Sequence, residues 1–183
     1  MIYLDNNATT SISREVVDAM MPYLTEIWGN PSSVLYHTGQ EAEAALAQMR
    51  ESIAKNIGAK NPNEIYFTAS GCEADNWAIF STVKRYGKRN KHIITTAIEH
   101  HAILRCMNEL EHQGYEITYL QPDNKGNISL DSLKAALRPD TILVSIMMVN
   151  NEVGSVMPIS QMAKLTHKLW PNALFHTDAV QGC

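Results

Sequence analysis

His92-Ile93-Ile94-Thr95, then Ala102–Gln113, then Glu116-Ile117-Thr118-Tyr119-Leu120: a β-branched run, an amphipathic stretch and a second β-branched run follow one another with short connections. Short runs rich in Ile, Thr and Tyr read as strands, and the longer amphipathic stretch between them reads as a helix. The same alternation continues outward on both sides. Upstream, Glu64–Thr68 reads as a strand and Glu73–Tyr86 as a helix. Downstream come helix Leu130–Leu137, strand Thr141–Ile146, helix Ser160–Leu169 and strand Leu174–Thr177. This rhythm predicts an α/β fold, a mainly parallel sheet flanked by helices. Two further helices, roughly Ser13–Trp28 and Thr38–Ile57, precede it, and Asp123-Asn124-Lys125-Gly126-Asn127 is a turn by composition.

Composition narrows the function. The 183 residues suit one domain, or one domain with a piece of a second, and 45% hydrophobic content is enough for a substantial core. A net charge of −4, without a basic block, argues against nucleic acid. The longest apolar stretch, Ile142 to Val149, is broken by Ser145 and too short to span a bilayer, so no membrane partner is expected. Met1-Ile2-Tyr3-Leu4-Asp5 does not look like a secretory signal. Cys72, Cys106 and Cys183 are too few and too scattered for a disulfide framework or a zinc site, so no metal is expected. A cytoplasmic, reducing setting is the default expectation.

In open α/β sheets, ligands sit beyond the carboxyl ends of the strands. Phe67-Thr68-Ala69-Ser70-Gly71-Cys72-Glu73-Ala74-Asp75-Asn76 pairs Ser70 with Glu73 at capping-box spacing. Gly71 permits close backbone approach, so the segment reads either as a phosphate cradle or as an ordinary strand-to-helix turn. Thr95-Thr96-Ala97-Ile98-Glu99-His100-His101 places an imidazole, His100, past a strand. It can stack on a ring, transfer a proton, or simply bond locally at a helix start. Val149-Asn150-Asn151-Glu152-Val153-Gly154 puts two amides and a carboxylate after an apolar strand, which need partners if buried, unless the segment is a polar turn. His176-Thr177-Asp178-Ala179-Val180-Gln181 offers Asp178 to a pyridine nitrogen and Gln181 to a phenolic oxygen, with helix capping as the plainer reading of Asp178. Together these groups match what pyridoxal 5'-phosphate presents.

Those motifs, with Leu4-Asp5-Asn6-Asn7-Ala8-Thr9-Thr10 and Gly29-Asn30-Pro31-Ser32-Ser33, occur in an order that resembles the cysteine desulfurases. These belong to the class V aminotransferase group of fold-type I pyridoxal-phosphate enzymes. The resemblance implies that His100 stacks on the cofactor ring and takes part in proton transfer. It implies that Asp178 pairs with the ring nitrogen, Gln181 bonds the phenolic oxygen, Asn151 lies near that oxygen and the substrate carboxylate, and Gly71 and Cys72 form the phosphate-binding turn. The family usually has threonine at the position of Cys72, and a thiol is a weaker donor, which shifts phosphate binding to backbone amides. Neither Cys72 nor Cys106 matches the family's persulfide cysteine.

By the same resemblance, residues 1–12 belong to a small domain and 13–183 to an incomplete large domain. The Schiff-base lysine, substrate arginine and loop cysteine would lie beyond Cys183, and Lys168 reads as a solvated helix residue. The implied activity takes L-cysteine to L-alanine and an enzyme persulfide, with a sulfur acceptor or iron–sulfur scaffold protein as partner. The implied assembly is a homodimer or a pairing with a separate C-terminal piece, and the chain alone is expected to be inactive. The rival readings are another class V enzyme, such as a selenocysteine lyase or transaminase, or a split, non-catalytic scaffold.

Overall fold

Ser13 opens the first helix by accepting a hydrogen bond from the Val16 amide at 3.4 Å, satisfying one of the donors that a helix start leaves unpaired. The computed structural model describes residues 2–88 and 91–182, and Cys183 therefore lies outside the described residues. The chain divides between Phe67 and Thr68 into two compact units.

The first unit contains α1 (Arg14–Thr25), α2 (His37–Ile57) and a 3-10 turn at Pro62–Glu64. Among the described residues of 2–12 there is no helix or strand. The Gly29–Ser33 motif packs tightly on the start of α2. A Cβ on Gly29 would lie 2.0 Å from the Thr38 carbonyl oxygen, and one on Gly39 would lie 2.2 Å from that of Ser33. Neither position has room for a side chain.

One expectation fails here. Glu64–Thr68 is not a strand: Glu64 ends the 3-10 turn, and residues 65–68 pair with no other strand among the described residues. A β-branched and aromatic run does not make a strand without a ladder partner. Arg50 on α2 holds the segment instead, donating to the Ile65 carbonyl and placing its guanidinium 5.0 Å from the centre of the Phe67 ring.

The second unit is the alternating α/β structure: α3 (Gly71–Tyr86), β1 (His92–Thr96), α4 (His101–His112), β2 (Glu116–Leu120), α5 (Leu130–Ala136), β3 (Thr141–Ser145), α6 (Ile159–Leu169) and β4 (Leu174–His176). All three pairings are parallel, in the order β2-β1-β3-β4. β1 and β3 are buried along their whole length, as parallel strands covered on both faces must be. Alternation then sorts their side chains. Ile93 and Leu143 pack with Ile79 and Val83 of α3 and with Ile103, Met107 and Leu110 of α4. Ile94 and Val144 pack with Leu133 of α5 and Met162 of α6. His92, buried at the start of β1, is a core histidine, its ring bonded to the Thr141 and Thr118 hydroxyls at 2.7 and 2.8 Å. No described helix is long and apolar enough to cross a membrane.

Candidate active site at the carboxyl ends of the strands

The chain leaves β1 toward β2 on one side and later adds β3 and β4 on the other, so the strand order reverses between β1 and β3. Loops that diverge at such a point leave a crevice. The β1 loop brings Glu99 and His100 there, and the β3 loop brings Asn150 and Asn151. His100 is the N-cap of α4, its Nδ1 accepting the Ala102 amide at 3.2 Å. In the neutral ring that bond assigns the proton to Nε2, leaving it as the outward donor. The exposed His100 ring lines two cavities. One, about 500 Å³, is shared with Asn151 and Lys125; the other, about 510 Å³, with Cys72, Asn76 and Arg105.

Gly71 and Cys72 occupy the first turn of α3, ahead of its first intrahelical bond from the Ala74 amide to the Ser70 carbonyl at 3.1 Å. Ser70 accepts the Glu73 amide at 3.2 Å, and Glu73 reaches back to the Ala69 amide at 2.7 Å. This is a capping box displaced by one residue. The amides of Gly71 and Cys72 are thus the open donors of the helix start. A Cβ on Gly71 would touch Val180 at 3.4 Å, so this turn and the turn after β4 meet. The Cys72 side chain is exposed, whereas Cys106 is a core thiol bonded to the Ala102 carbonyl at 3.1 Å and pushed up to about 11, chiefly by burial.

Asp178, half-buried, follows β4. Its carboxylate accepts the Val180 amide at 3.0 Å and its carbonyl accepts the Met148 amide at 2.8 Å. Gln181 is half-buried in the same turn. Sequence reasoning missed what lies beneath. Asp75 is 7% exposed, and its Oδ1 lies 3.6 Å from His176 Nε2, while His176 Nδ1 meets the Ser145 hydroxyl at 2.9 Å. Burial pushes His176 below its usual range and, first, raises Asp75 to about 6, with the charge of Asp178 adding to the latter. Both groups are driven toward neutrality, so we read the 3.6 Å contact as a neutral one rather than an ion pair. Burial likewise raises Glu99 to about 7, with smaller contributions from Asp178 and Asp75. Three carboxyl groups therefore share one field, and among the described residues no lysine or arginine pairs with any of them. The missed signal was helical spacing: Asp75, Ile79 and Val83 stand four apart, which puts Asp75 on the buried face of α3. The described residues contain no cluster able to hold a metal ion.

A parallel sheet whose polar residues gather past the strand ends, beside a helix start with open amides, has the layout of an open α/β fold with a crevice at its strand ends. The chain matches the family described as Aminotransferase class-V over residues 2–183, and it belongs to that family. It matches the N-terminal half of cysteine desulfurases. It is 48% identical to the cysteine desulfurase IscS of Methanosarcina thermophila, covering 99% of this chain and 44% of that protein. Identity to the same enzyme of Dictyoglomus turgidum is 48%, over 98% of this chain and 45% of the relative. Among solved structures, a NifS-like protein superimposes with a TM-score of 0.94 at 38% identity, covering 98% of this chain and 49% of that one. SspA in complex with cysteine gives 0.92 at 36% identity, covering 98% and 51%. The chain thus spans about half the length of the relatives it matches.

Proposed function

We propose that this chain is the cofactor-binding half of a pyridoxal-phosphate-dependent cysteine desulfurase. The observation that carries the reading is geometric: the start of α3, with its open Gly71 and Cys72 amides, meets the turn after β4 that bears Asp178. The Asp178 carboxylate suits a protonated ring nitrogen, and the α3 start suits a phosphate dianion. The residues present therefore fit pyridoxal 5'-phosphate. When bound, that group supplies an electron sink for the substrate's Cα.

The chain's own residues do the rest. With the cofactor bound, Asp178 would hold the proton on the ring nitrogen. His100 would stack on the ring, with Nε2 as the nitrogen free to move a proton. Gln181 would donate to the phenolic oxygen, and Asn151 would orient that oxygen and the substrate carboxylate. The open amides of Gly71 and Cys72 hold the phosphate, which leaves the Cys72 thiol a minor part. Relatives of twice the length, and the solved structure of one with bound cysteine, support L-cysteine as substrate and a sulfur acceptor as partner. The Schiff-base lysine, substrate arginine and sulfur-carrying cysteine then come from a segment outside these residues, and a homodimer or a two-piece assembly completes the site. On this reading, residues 1–12 belong to a small domain and 13–183 to the large one.

The test is Asp178→Asn in the whole protein that contains these residues. A charge-assisted bond contributes on the order of 1.5–3 kcal/mol, so pyridoxal phosphate should dissociate at least about tenfold more readily. Turnover should fall further, because ring charge grows during reaction. Near-normal cofactor affinity and desulfurase turnover would remove Asp178 from the site.

A further inference from the structure

Two side chains cross between the loop after β1 and the loop after β3. Each belongs to the residue just before a group assigned above to the cofactor. Glu99, 5% exposed, follows β1. Its Oε1 accepts the Met147 amide of the other loop at 2.9 Å and the hydroxyl of Thr96, the last residue of β1, at 2.7 Å. Asn150, 6% exposed, reaches back the other way. Its Nδ2 donates to the Ile98 carbonyl at 3.0 Å, and its Oδ1 accepts the Glu152 and Val153 amides at 3.0 and 2.9 Å. His100 is the next residue after Glu99, and Asn151 the next after Asn150.

Resting on the reading that His100 and Asn151 face the cofactor, we propose that Glu99 and Asn150 form a reciprocal clasp of positioning residues that sets where His100 and Asn151 stand relative to each other. Neither residue touches the reacting atoms. Each uses a buried side chain to satisfy backbone groups that no strand serves, since both loops have left the sheet. Because each arm ends on the opposite loop, sliding one loop breaks hydrogen bonds belonging to both. That makes the arrangement stiffer than two independent caps. The Glu99 arm works through one acceptor oxygen. Its Oε2 is buried without a hydrogen-bond partner among the described residues, so the clasp draws on an acceptor at Oε1 rather than on a net charge. A glutamine presents the same acceptor.

The whole protein that contains these residues is compared with Glu99→Gln, Glu99→Ala, Glu99→Asp and Asn150→Ala. Amide hydrogen exchange at Met147 and the ¹⁵N signals of the His100 ring are recorded without cofactor, and pyridoxal-phosphate affinity is measured separately. Glu99→Ala leaves buried donors unpaired. It should speed Met147 exchange by about tenfold or more and shift the His100 ring signals, with exposed His167 unchanged as an internal control. Asn150→Ala should also shift the His100 signals, although it touches only Ile98 on that loop. Glu99→Gln should keep Met147 exchange within about threefold of the parent, because its acceptor survives. Glu99→Asp, a milder change should the alanine variant fail to fold, is one methylene too short and should behave like Glu99→Ala.

Unchanged Met147 exchange in Glu99→Ala, or an unmoved His100 signal in Asn150→Ala, overturns the clasp. So does a Glu99→Gln variant as disrupted as Glu99→Ala, since charge would then be the working feature. Failure of the parent protein to bind pyridoxal phosphate would sink the proposed function while leaving the cofactor-free readouts of the clasp intact.

Discussion

The two units use similar helices to opposite effect. In the second unit, α4 and α6 bury their apolar faces on a sheet, and residues such as Ile94, Ile103, Leu110 and Met162 are fully enclosed. In the first, α1 buries none of its residues, and α2 buries only Gly39 and Ala54. Leu24, Trp28, Leu35 and Ile57 stay exposed, and an apolar groove of about 370 Å³ runs between α1 and α2. Amphipathicity is present in both units, but a helix gains stability from it only when a surface covers the apolar face. The sheet supplies that surface in one unit and not in the other.

The sharpest way to break this contrast is paired truncation. Ile94→Ala, in the enclosed core, should cost about 2–5 kcal/mol, whereas Leu24→Ala should stay within about 0.5 kcal/mol. Urea denaturation of each variant measures both, and a comparable loss in the two would show that the first unit carries a core of its own. The second measurement varies pH. Glu99 and Asp75 have folded-state values raised above their ordinary ones, so the stability tied to their neutral forms is complete below about pH 4. It is lost as pH rises through about 6 for Asp75 and about 7 for Glu99. For Glu99, a rise from 4.5 to about 7 corresponds to roughly 3 kcal/mol at about 1.4 kcal/mol per pH unit. The second unit should therefore resist urea better at about pH 5 than at about pH 8, and Asp75→Asn should flatten part of the slope. Stability that climbs over this range would mean that the carboxyl groups are charged and paired. The smallest effect belongs to Cys72→Thr, which should change pyridoxal-phosphate affinity by less than about threefold if the amides carry the phosphate. A tenfold gain, read by fluorescence titration, would show that the hydroxyl matters.

Much of the second unit was legible because its signals are local. Runs of apolar, β-branched and aromatic residues mark β1, β2, β3 and β4 to within a residue or so, and Ser70 with Glu73 marks the start of α3. The segment at residues 64–68 was misread because a β-branched and aromatic run is an equally local signal, whereas a strand is a relation between two segments. The site was legible to the same depth. His100, Asn151 and Asp178 announce themselves at strand ends, yet Asp75, Glu99 and His176 act through partners far along the chain. Glu99 meets Met147, and His176 meets Ser145 and Asp75, contacts that no motif encodes. Ser145 had registered only as an interruption in an apolar run.

β4, the strand that leads to Asp178, has three residues and pairs only with β3 among the described residues. That matters in time rather than in space. A short strand at the margin of a sheet opens more often than the strands inside it. Each opening would carry His176 and Asp178 away from Asp75 and Glu99. If Asp178 holds a ring nitrogen as proposed, how long it stays held would follow the fraying of these three residues rather than the melting of the unit, and a bound ring would in turn slow the fraying.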